Sequence, residues 1–196
     1  MSTSTRLSEV FASAEVIPFN NSSKFIFLSD CHRGDNSWAD DLAHNQMLLW
    51  YALKRYLDDG FTYFEVGDGD ELWENSNFDD IREAHSHLFW LMSEFHEDGR
   101  LYLIWGNHNN DWRKDDTVRA KLYEYYDERE VEIKPLFNGI RVHEGLVLRH
   151  EDSGHKIFVV HGHQGDLMSD RLWHMARFCV RHVWRHLQMF GVNDLT

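Results

Sequence analysis

The stretch FTYFEVGDGD, residues 61–70, is a short run of aromatic and β-branched side chains that ends in glycine and aspartate. Such a run, bounded by turn-forming residues, is typical of a buried β-strand that opens into a polar loop. The same arrangement recurs in FIFLSDCH (25–32), LYLIWGNH (101–108) and KIFVVHGH (156–163). The sequence therefore predicts four buried strands, each followed by a polar turn, at 25–28, 61–66, 101–105 and 156–160.

Two helical segments separate the first three predicted strands. Residues 38–57 and 78–96 carry apolar side chains at the spacing of an amphipathic helix. Asp79 stands where the first turn of a helix favours an acid, and Gly60 and Gly99 stand where the two helices should end. Strands that alternate with helices predict an α/β fold, and ligands bind such sheets beyond the strand ends.

The pattern changes from about residue 130, where apolar runs become shorter and closer together. Turns are predicted at 138–139 and 153–154, because each pairs glycine with asparagine or serine. This half predicts an antiparallel meander or a second sheet, with strands at 131–133, 140–142, 146–148 and 157–160.

Composition indicates a single domain over 1–196, with a core at about 24–165 and a helical segment at about 166–190. Hydrophobic residues form 42% of the chain, enough to bury a core without disulfides. No apolar run approaches about 18 residues, so we expect no transmembrane segment. Two cysteines favour a reducing cytoplasm, and the net charge of -13 argues against a nucleic-acid surface.

The four polar turns carry side chains that bind divalent metal ions, namely Asp30, His32, Asp68, Asn107 and His161. Asp30 and His32 stand two residues apart and can face the same side of an extended chain, with Cys31 turned away. A mixed set of oxygen and nitrogen donors suits Mn²⁺, Fe or Zn²⁺. The pattern therefore predicts a site for two divalent metal ions at one edge of the sheet.

The order of the motifs, Asp-x-His, Gly-Asp and Gly-Asn-His, resembles the calcineurin-like metallophosphoesterases over residues 25 to about 165. The resemblance implies a double β-sandwich flanked by helices, with two metals between the sheet edges. It implies hydrolysis of a phosphorylated substrate, a monoester, diester or nucleotide pyrophosphate, by a metal-bridging hydroxide. It also implies that Asp30 and His32 bind one metal, that Asp68 bridges both, and that Asn107 and His161 bind the other.

Two further residues are predicted to act on the substrate. The resemblance makes His108 the general acid or transition-state donor, a role that suits an imidazole. Arg33 is a candidate for gripping a phosphate oxygen, with an ion pair to Asp35 or Asp70 as the alternative. Carboxylates in the loop after Asp68 are predicted to accept hydrogen bonds from ligand histidines or from Arg33: Asp70, Glu71 and Glu74.

The chain departs from the family pattern at two places. Asn109 replaces the acid that should orient His108, and Asp111 is the nearest substitute. No Gly-His-x-His follows His161, so we expect that histidine pair on a segment beyond this chain, with the last strands. Alternatively, His161 and the possible ligand His163 are themselves the terminal pair, and the lone ligand is one of His143, His150 and His155.

The aromatic face of 166–190 predicts packing against the core, with its arginines facing solvent. The alternative is a helical lid over the site, with Arg171, Arg177 or Arg181 reaching a substrate phosphate. A partial resemblance to the bacterial pyrophosphatases that cleave UDP-2,3-diacylglucosamine favours such a lid. Two other functions stay open: a protein-binding scaffold with a degraded metal site, which the two departures would suit, and a nuclease, which the acidic charge disfavours.

Overall fold

The computed structural model describes residues 2–164 and 173–184. The helices are α1 Thr3–Ser13, α2 Gln46–Asp58, α3 Phe78–Ala84, α4 Ser86–Glu97, α5 Asp115–Leu122 and α6 Trp173–Cys179, with a 3₁₀ turn at Asn110–Arg113 and a π-helical turn at Val180–Trp184. The strands are β1 Glu15–Phe19, β2 Phe25–Leu28, β3 Thr62–Val66, β4 Leu101–Ile104, β5 Glu124–Asp127, β6 Glu132–Pro135, β7 Val142–His143, β8 Gly145–His150 and β9 Lys156–Val160.

The main sheet is parallel throughout and has the strand order β2-β3-β4-β7. Phe27, Phe64 and Tyr102 lie side by side across its first three strands, which fixes the register. Since the strands run in one direction, the turns that follow β2, β3 and β4 all open at the same edge. The α/β prediction is confirmed, as are the three strands that carry the first three motifs.

A second sheet has the order β1-β8-β9, with β1 parallel to β8 and β8 antiparallel to β9. The second-sheet alternative for this half is therefore confirmed. The antiparallel meander is wrong, because β7 joins the main sheet in parallel with β4. The chain also forms a separate hairpin of β5 and β6, and neither β1 nor β5 was predicted.

The two sheets pack face to face, with helices on their outer sides. Tyr63 points into a core shared with α2 and α4, whereas its neighbour Phe64 points into a core shared with β8 and β9. Both side chains are fully buried, as alternation along a strand between two packed layers requires. On the far side of the second sheet, the Phe11 ring of α1 packs edge-on against Phe158.

Both predicted helices are shorter than expected. The helix predicted at 38–57 begins only at Gln46, because the Asp40 carboxylate accepts the N–H groups of Leu42 and Ala43 and so stabilises a turn instead. The helix predicted at 78–96 is divided at His85, whose Nε2 lies 2.7 Å from Asp40 Oδ2. Gly60 and Gly99 take the left-handed conformation just after α2 and α4, as predicted.

Much of the segment predicted at 166–190 lies outside the described residues, and what is described of it is α6 and the π-helical turn. Within residues 2–164 and 173–184, no helix combines the length and the apolar character that crossing a membrane requires. The arrangement thus places the polar turns of β2, β3 and β4 together, with the turn after β9 reaching them from the second sheet.

Candidate metal centre

The turns after β2 and β3 are joined by backbone hydrogen bonds. The Asp30 N–H donates to the Gly67 carbonyl at 3.1 Å, and the His32 N–H donates to the Asp68 carbonyl at 2.9 Å. Asp30, His32 and Asp68 all have left-handed backbone, with φ of 54°, 46° and 50°. This conformation is uncommon for residues other than glycine, and it clusters at functional sites. Three of the predicted ligands are therefore held in strained turns.

The first cluster joins Asp30, Asp68 and His161, whose ligand atoms all lie within 4.8 Å of one another. His161 Nε2 lies 3.1 Å from Asp68 Oδ2 and 3.2 Å from Asn107 Oδ1. Its Nδ1 donates to the Val66 carbonyl at 3.0 Å, so a neutral His161 turns the lone pair of Nε2 towards these oxygens. Several acceptors that face one point fit a divalent cation.

The electrostatics of this cluster also favour a positive charge at its centre. Burial alone would raise the pKa of Asp68, but the hydrogen bond and charge of His161 outweigh it and lower that pKa. Burial would likewise lower the pKa of His161, but the same contact with Asp68 raises it. Asp68 therefore stays ionised, and its Oδ1 accepts the backbone N–H of His108 at 2.8 Å.

The second cluster consists of His32, Glu71 and His108. Both imidazoles donate from Nδ1 to the same oxygen, Glu71 Oε2, at 2.6 Å each. Burial would raise the pKa of Glu71, but the two histidines lower it to about 2. Burial would lower the pKa of His32, but Glu71 raises it to about 9. His32 Nε2 lies 3.8 Å from Asp30 Oδ1, so the two clusters adjoin.

Two glycines of the motifs are required by close approach to these side chains. A Cβ on Gly67, which has φ of 82°, would lie 2.4 Å from the ring of His161. A Cβ on Gly106 would lie 2.2 Å from Asp68 Oδ1. Real Cβ contacts are longer than this, so any side chain at either position would displace a predicted ligand.

Asn109 and Asp111, which follow His108, do not orient the His108 imidazole. Asn109 is buried, and its Oδ1 accepts the Gly106 N–H at 2.6 Å, which shapes the turn. Asp111, the expected substitute for the missing acid, forms an ion pair with Arg177 at 2.8 Å. The carboxylate that contacts His108 comes instead from Glu71, in the turn after β3.

Arg33 is placed differently from the predicted phosphate contact. It is only 1% exposed and donates to Glu65 at 2.6 and 2.7 Å and to Asp70 at 2.9 Å. Burial would lower its pKa, but the charges of Asp70 and Glu65 raise it well above the usual value. The alternative prediction, an ion pair with Asp70, is correct, and the buried guanidinium stabilises the loops rather than facing the metal centre.

The histidine alternatives are not brought into the centre. His163 lies in neither cluster, and its ring packs against Trp105 with centroids 4.8 Å apart. The possible lone ligands lie elsewhere: His143 is 3.9 Å from a Glu15 oxygen, His150 contacts Ser153 and Asn21, and His155 is exposed. None of His143, His150 and His155 joins His161 in a cluster of potential metal ligands within residues 2–164 and 173–184.

The C-terminal helical segment lies against the turn that carries Glu71. Arg181 donates to the carbonyls of Leu72 and Trp73 at 2.7 and 2.8 Å. The Trp73 indole stacks on His108, with centroids 4.2 Å apart and planes 21° from parallel. The predicted solvent-facing role of Arg177 and Arg181 is thus wrong, since both bind protein groups, and Arg171 lies outside the described residues.

Sequence reasoning missed Trp73, although an aromatic residue in the loop directly after Gly-Asp was a usable signal. It correctly predicted that Asp70 and Glu71 accept hydrogen bonds from Arg33 and from ligand histidines. No protein-family model, curated protein or solved structure matches the chain. The centre is thus defined by its own donors: the carboxylates of Asp30, Asp68 and Glu71, the imidazoles of His32, His108 and His161, and the amide of Asn107.

Proposed function

We propose that this protein hydrolyses a phosphoester with the help of two divalent metal ions. The observation that carries the proposal is the convergence of Asp30, Asp68, His161 and Asn107, with His32 adjoining. These side chains come from four separate turns, and ordinary polar surface turns do not require their side chains to converge on one point. Mixed carboxylate, amide and imidazole donors fit Mn²⁺, Fe or Zn²⁺.

The roles within the site follow from its donors. Asp30, His32, Asp68, Asn107 and His161 would hold the two cations. When bound, such cations acidify a water molecule and neutralise charge on the phosphoryl oxygens. His108 stands next to His32, with ring centroids 4.7 Å apart, and we assign it proton donation to the leaving oxygen. Such proton donation contributes about 10²- to 10⁴-fold in rate.

The resemblance of the motifs to calcineurin-like metallophosphoesterases supports this class of reaction. The layering of two sheets between helices is compatible with the double sandwich that the resemblance implies. One reason to consider a protein-binding scaffold was the missing acid at Asn109. The Glu71 carboxylate nevertheless contacts His108. The net charge of -13 counts against the nuclease alternative, because a nucleic-acid backbone is itself anionic.

The test replaces Asp68 by asparagine, which keeps the shape of the side chain and removes its charge. We expect the Asp68→Asn variant to lose bound Mn²⁺ and the Mn²⁺-dependent hydrolysis of an aryl phosphodiester or monoester. The matched control is Asp70→Asn, two residues along the same turn, because Asp70 binds Arg33 and Trp112 instead of the cluster. Full activity and metal content in Asp68→Asn would refute the proposal.

We further propose a cytoplasmic location. Cys31 and Cys179 are both free thiols. Burial raises the pKa of the Cys31 thiol to about 12, so this half-buried side chain stays a neutral thiol and not a metal-binding thiolate. Unpaired cysteines are typical of reducing compartments.

A further inference from the structure

We propose that Trp73 is a positioning residue for His108, because its indole lies nearly flat on the imidazole and holds the plane of that ring. The inference deepens the proposed function and rests on it for its catalytic meaning. Its first test reads the stacked rings themselves and does not depend on hydrolysis.

The His108 ring is restrained by contacts of different kinds. Its Nδ1 donates to Glu71, and the ring of His32 meets it at a steep angle of 81°, with centroids 4.7 Å apart. A single hydrogen bond holds one ring atom, and the second side-chain torsion of histidine has only broad preferences of its own. The Trp73 indole, with its centroid 4.2 Å away and its plane tilted by 21°, therefore supplies the restraint on the ring plane.

The indole is held in place by its own backbone. The Trp73 N–H donates to Glu71 Oε1 at 3.1 Å, and the Trp73 carbonyl accepts Arg181 Nε at 2.8 Å. The preceding residue, Leu72, donates its N–H to the carbonyl of His108 at 3.1 Å. The segment that carries the indole is thus tied to the backbone of His108 itself. A group that orients another side chain requires such a fixed support.

The position of Trp73 is not explained by packing in the interior. Its side chain is buried, with 4% exposed, yet within residues 2–164 and 173–184 it belongs to neither of the two hydrophobic cores. Its neighbour Leu72 does belong to the larger core. A buried aromatic side chain outside both cores, with its face against His108, indicates a role at the metal centre.

A hydrogen bond does not explain the position of the indole either. Buried tryptophans usually find a partner for the indole N–H, but among the residues that the structure describes the Nε1 of Trp73 has none. Phenylalanine can therefore replace Trp73 without leaving a former partner unpaired. The His108 side chain keeps 22% of its surface exposed, so the stacked indole leaves it accessible to a substrate.

The first experiment records the ring protons of His108 in ¹H–¹³C spectra of the metal-free protein, assigned by their loss in His108→Asn. Protons over an aromatic face are shifted upfield by its ring current. We expect upfield resonances in the wild type and in Trp73→Phe, and a downfield move in Trp73→Leu. The matched control is Phe137→Leu, which removes a buried ring that lies near Phe89 and His96 and should leave the resonances unchanged.

Two results would overturn the proposal. One is the same His108 resonances in the wild type and in Trp73→Leu. The other is the absence of a nuclear Overhauser effect between the ring protons of His108 and the indole of Trp73 in the wild type. The second measurement needs no variant, so it decides the question even if Trp73→Leu does not fold.

The second experiment measures Mn²⁺-dependent hydrolysis. Misplacing a reacting group by about 1 Å costs about 10²-fold in rate, so we expect kcat to fall by up to about 100-fold in Trp73→Leu. KM and the affinity for Mn²⁺ should stay close to the wild type, because no metal ligand is changed. Trp73→Phe should keep most of the kcat, since it retains an aromatic face, and Phe137→Leu should keep it despite a lower stability.

The kinetic outcomes separate positioning from a general loss of structure. An equal loss of kcat in Phe137→Leu and Trp73→Leu, or no rescue by Trp73→Phe, would contradict the positioning role. If the wild type hydrolyses no phosphoester while the spectra show the stacked rings, the proposed function fails, and the orientation of His108 by Trp73 stands.

Discussion

A methyl group added at Gly67 tests whether His161 belongs to the metal centre. Gly67 has φ of 82°, and a Cβ there would lie 2.4 Å from Cγ of His161. The chain offers a matched control in Gly139, which has φ of 83° and nothing within 4 Å of an added Cβ. The variants Gly67→Ala and Gly139→Ala therefore share the backbone penalty and differ in the contact with His161.

The magnitude follows from two contributions. Left-handed backbone costs a residue with a Cβ about 1–2 kcal/mol, and both variants carry this cost. Forcing extra volume into a packed site costs about 1–3 kcal/mol more, and only Gly67→Ala carries it. We expect the free energy of unfolding to fall by about 2–5 kcal/mol for Gly67→Ala and by about 1–2 kcal/mol for Gly139→Ala.

The assay has two arms, urea unfolding of the metal-free protein and Zn²⁺ affinity at neutral pH. Because the ring of His161 must move to admit the methyl group, Gly67→Ala should bind Zn²⁺ more weakly by at least an order of magnitude. Gly139→Ala should keep the wild-type affinity despite its lower stability. If Gly67→Ala is destabilised but binds Zn²⁺ like the wild type, His161 is a packing residue and the first cluster loses its imidazole.

Three further predictions concern the surroundings of the centre. Replacing Arg33 by methionine leaves two buried carboxylates without their partner, so the free energy of unfolding, measured in urea, should fall by about 3–5 kcal/mol. The stability of the metal-free protein should fall at both ends of the pH range. Below pH about 4.5 it falls because Glu71, whose folded pKa is about 2, takes up a proton. Above pH about 6.5 it falls because His32, whose folded pKa is about 9, loses its proton. Glu71→Gln should flatten both limbs of the urea midpoint against pH. Arg181→Ala removes hydrogen bonds to the carbonyls of Leu72 and Trp73 and should make residues 173–184 more sensitive to limited proteolysis. Equal cleavage of the variant and the wild type would contradict this prediction.

The sequence predicted those strands whose apolar runs are a local property, although β2 and β9 are only partly buried and not buried as predicted. β2, β3, β4 and β9 are runs of apolar side chains between polar turns, and their periodicity alone indicates strands. β1 was not predicted because it contains Pro18 and its residues are exposed or only half-buried. It lies at an edge of its sheet, where proline is tolerated. β7 has only two residues, and its parallel pairing with β4 depends on a distant segment.

The helix boundaries failed for a related reason. Apolar spacing gave the right helices but could not show that Asp40 and His85, 45 residues apart, form a fully buried pair. That pair stabilises a turn where the first helix was predicted to begin and interrupts the second. A contact between distant side chains overrides local propensity, and single-sequence patterns do not contain it.

The sequence predicted the candidate metal ligands better than the residues that hold them in place. Asp68 and Asn107 follow strand ends of the parallel main sheet, which brings such ends together without further information, whereas His161 follows β9 of the second sheet. The placement of Arg33 required knowing that Glu65, inside β3, points towards it and is only 4% exposed. An acid within an apolar strand was the available signal, since buried carboxylates need a partner.

Backbone strain connects the supports to the ligands. Asp30, His32 and Asp68 each hold a left-handed conformation, at a cost of about 1–3 kcal/mol per residue. Such strain persists only where surrounding contacts fix it, and here the paired turns and the buried Arg33 network supply those contacts. A surface turn under no functional demand could relax by exchanging these residues for glycine. The presence of carboxylate and imidazole side chains at these strained positions is therefore a physical reason, independent of motif resemblance, to test the proposed chemistry there.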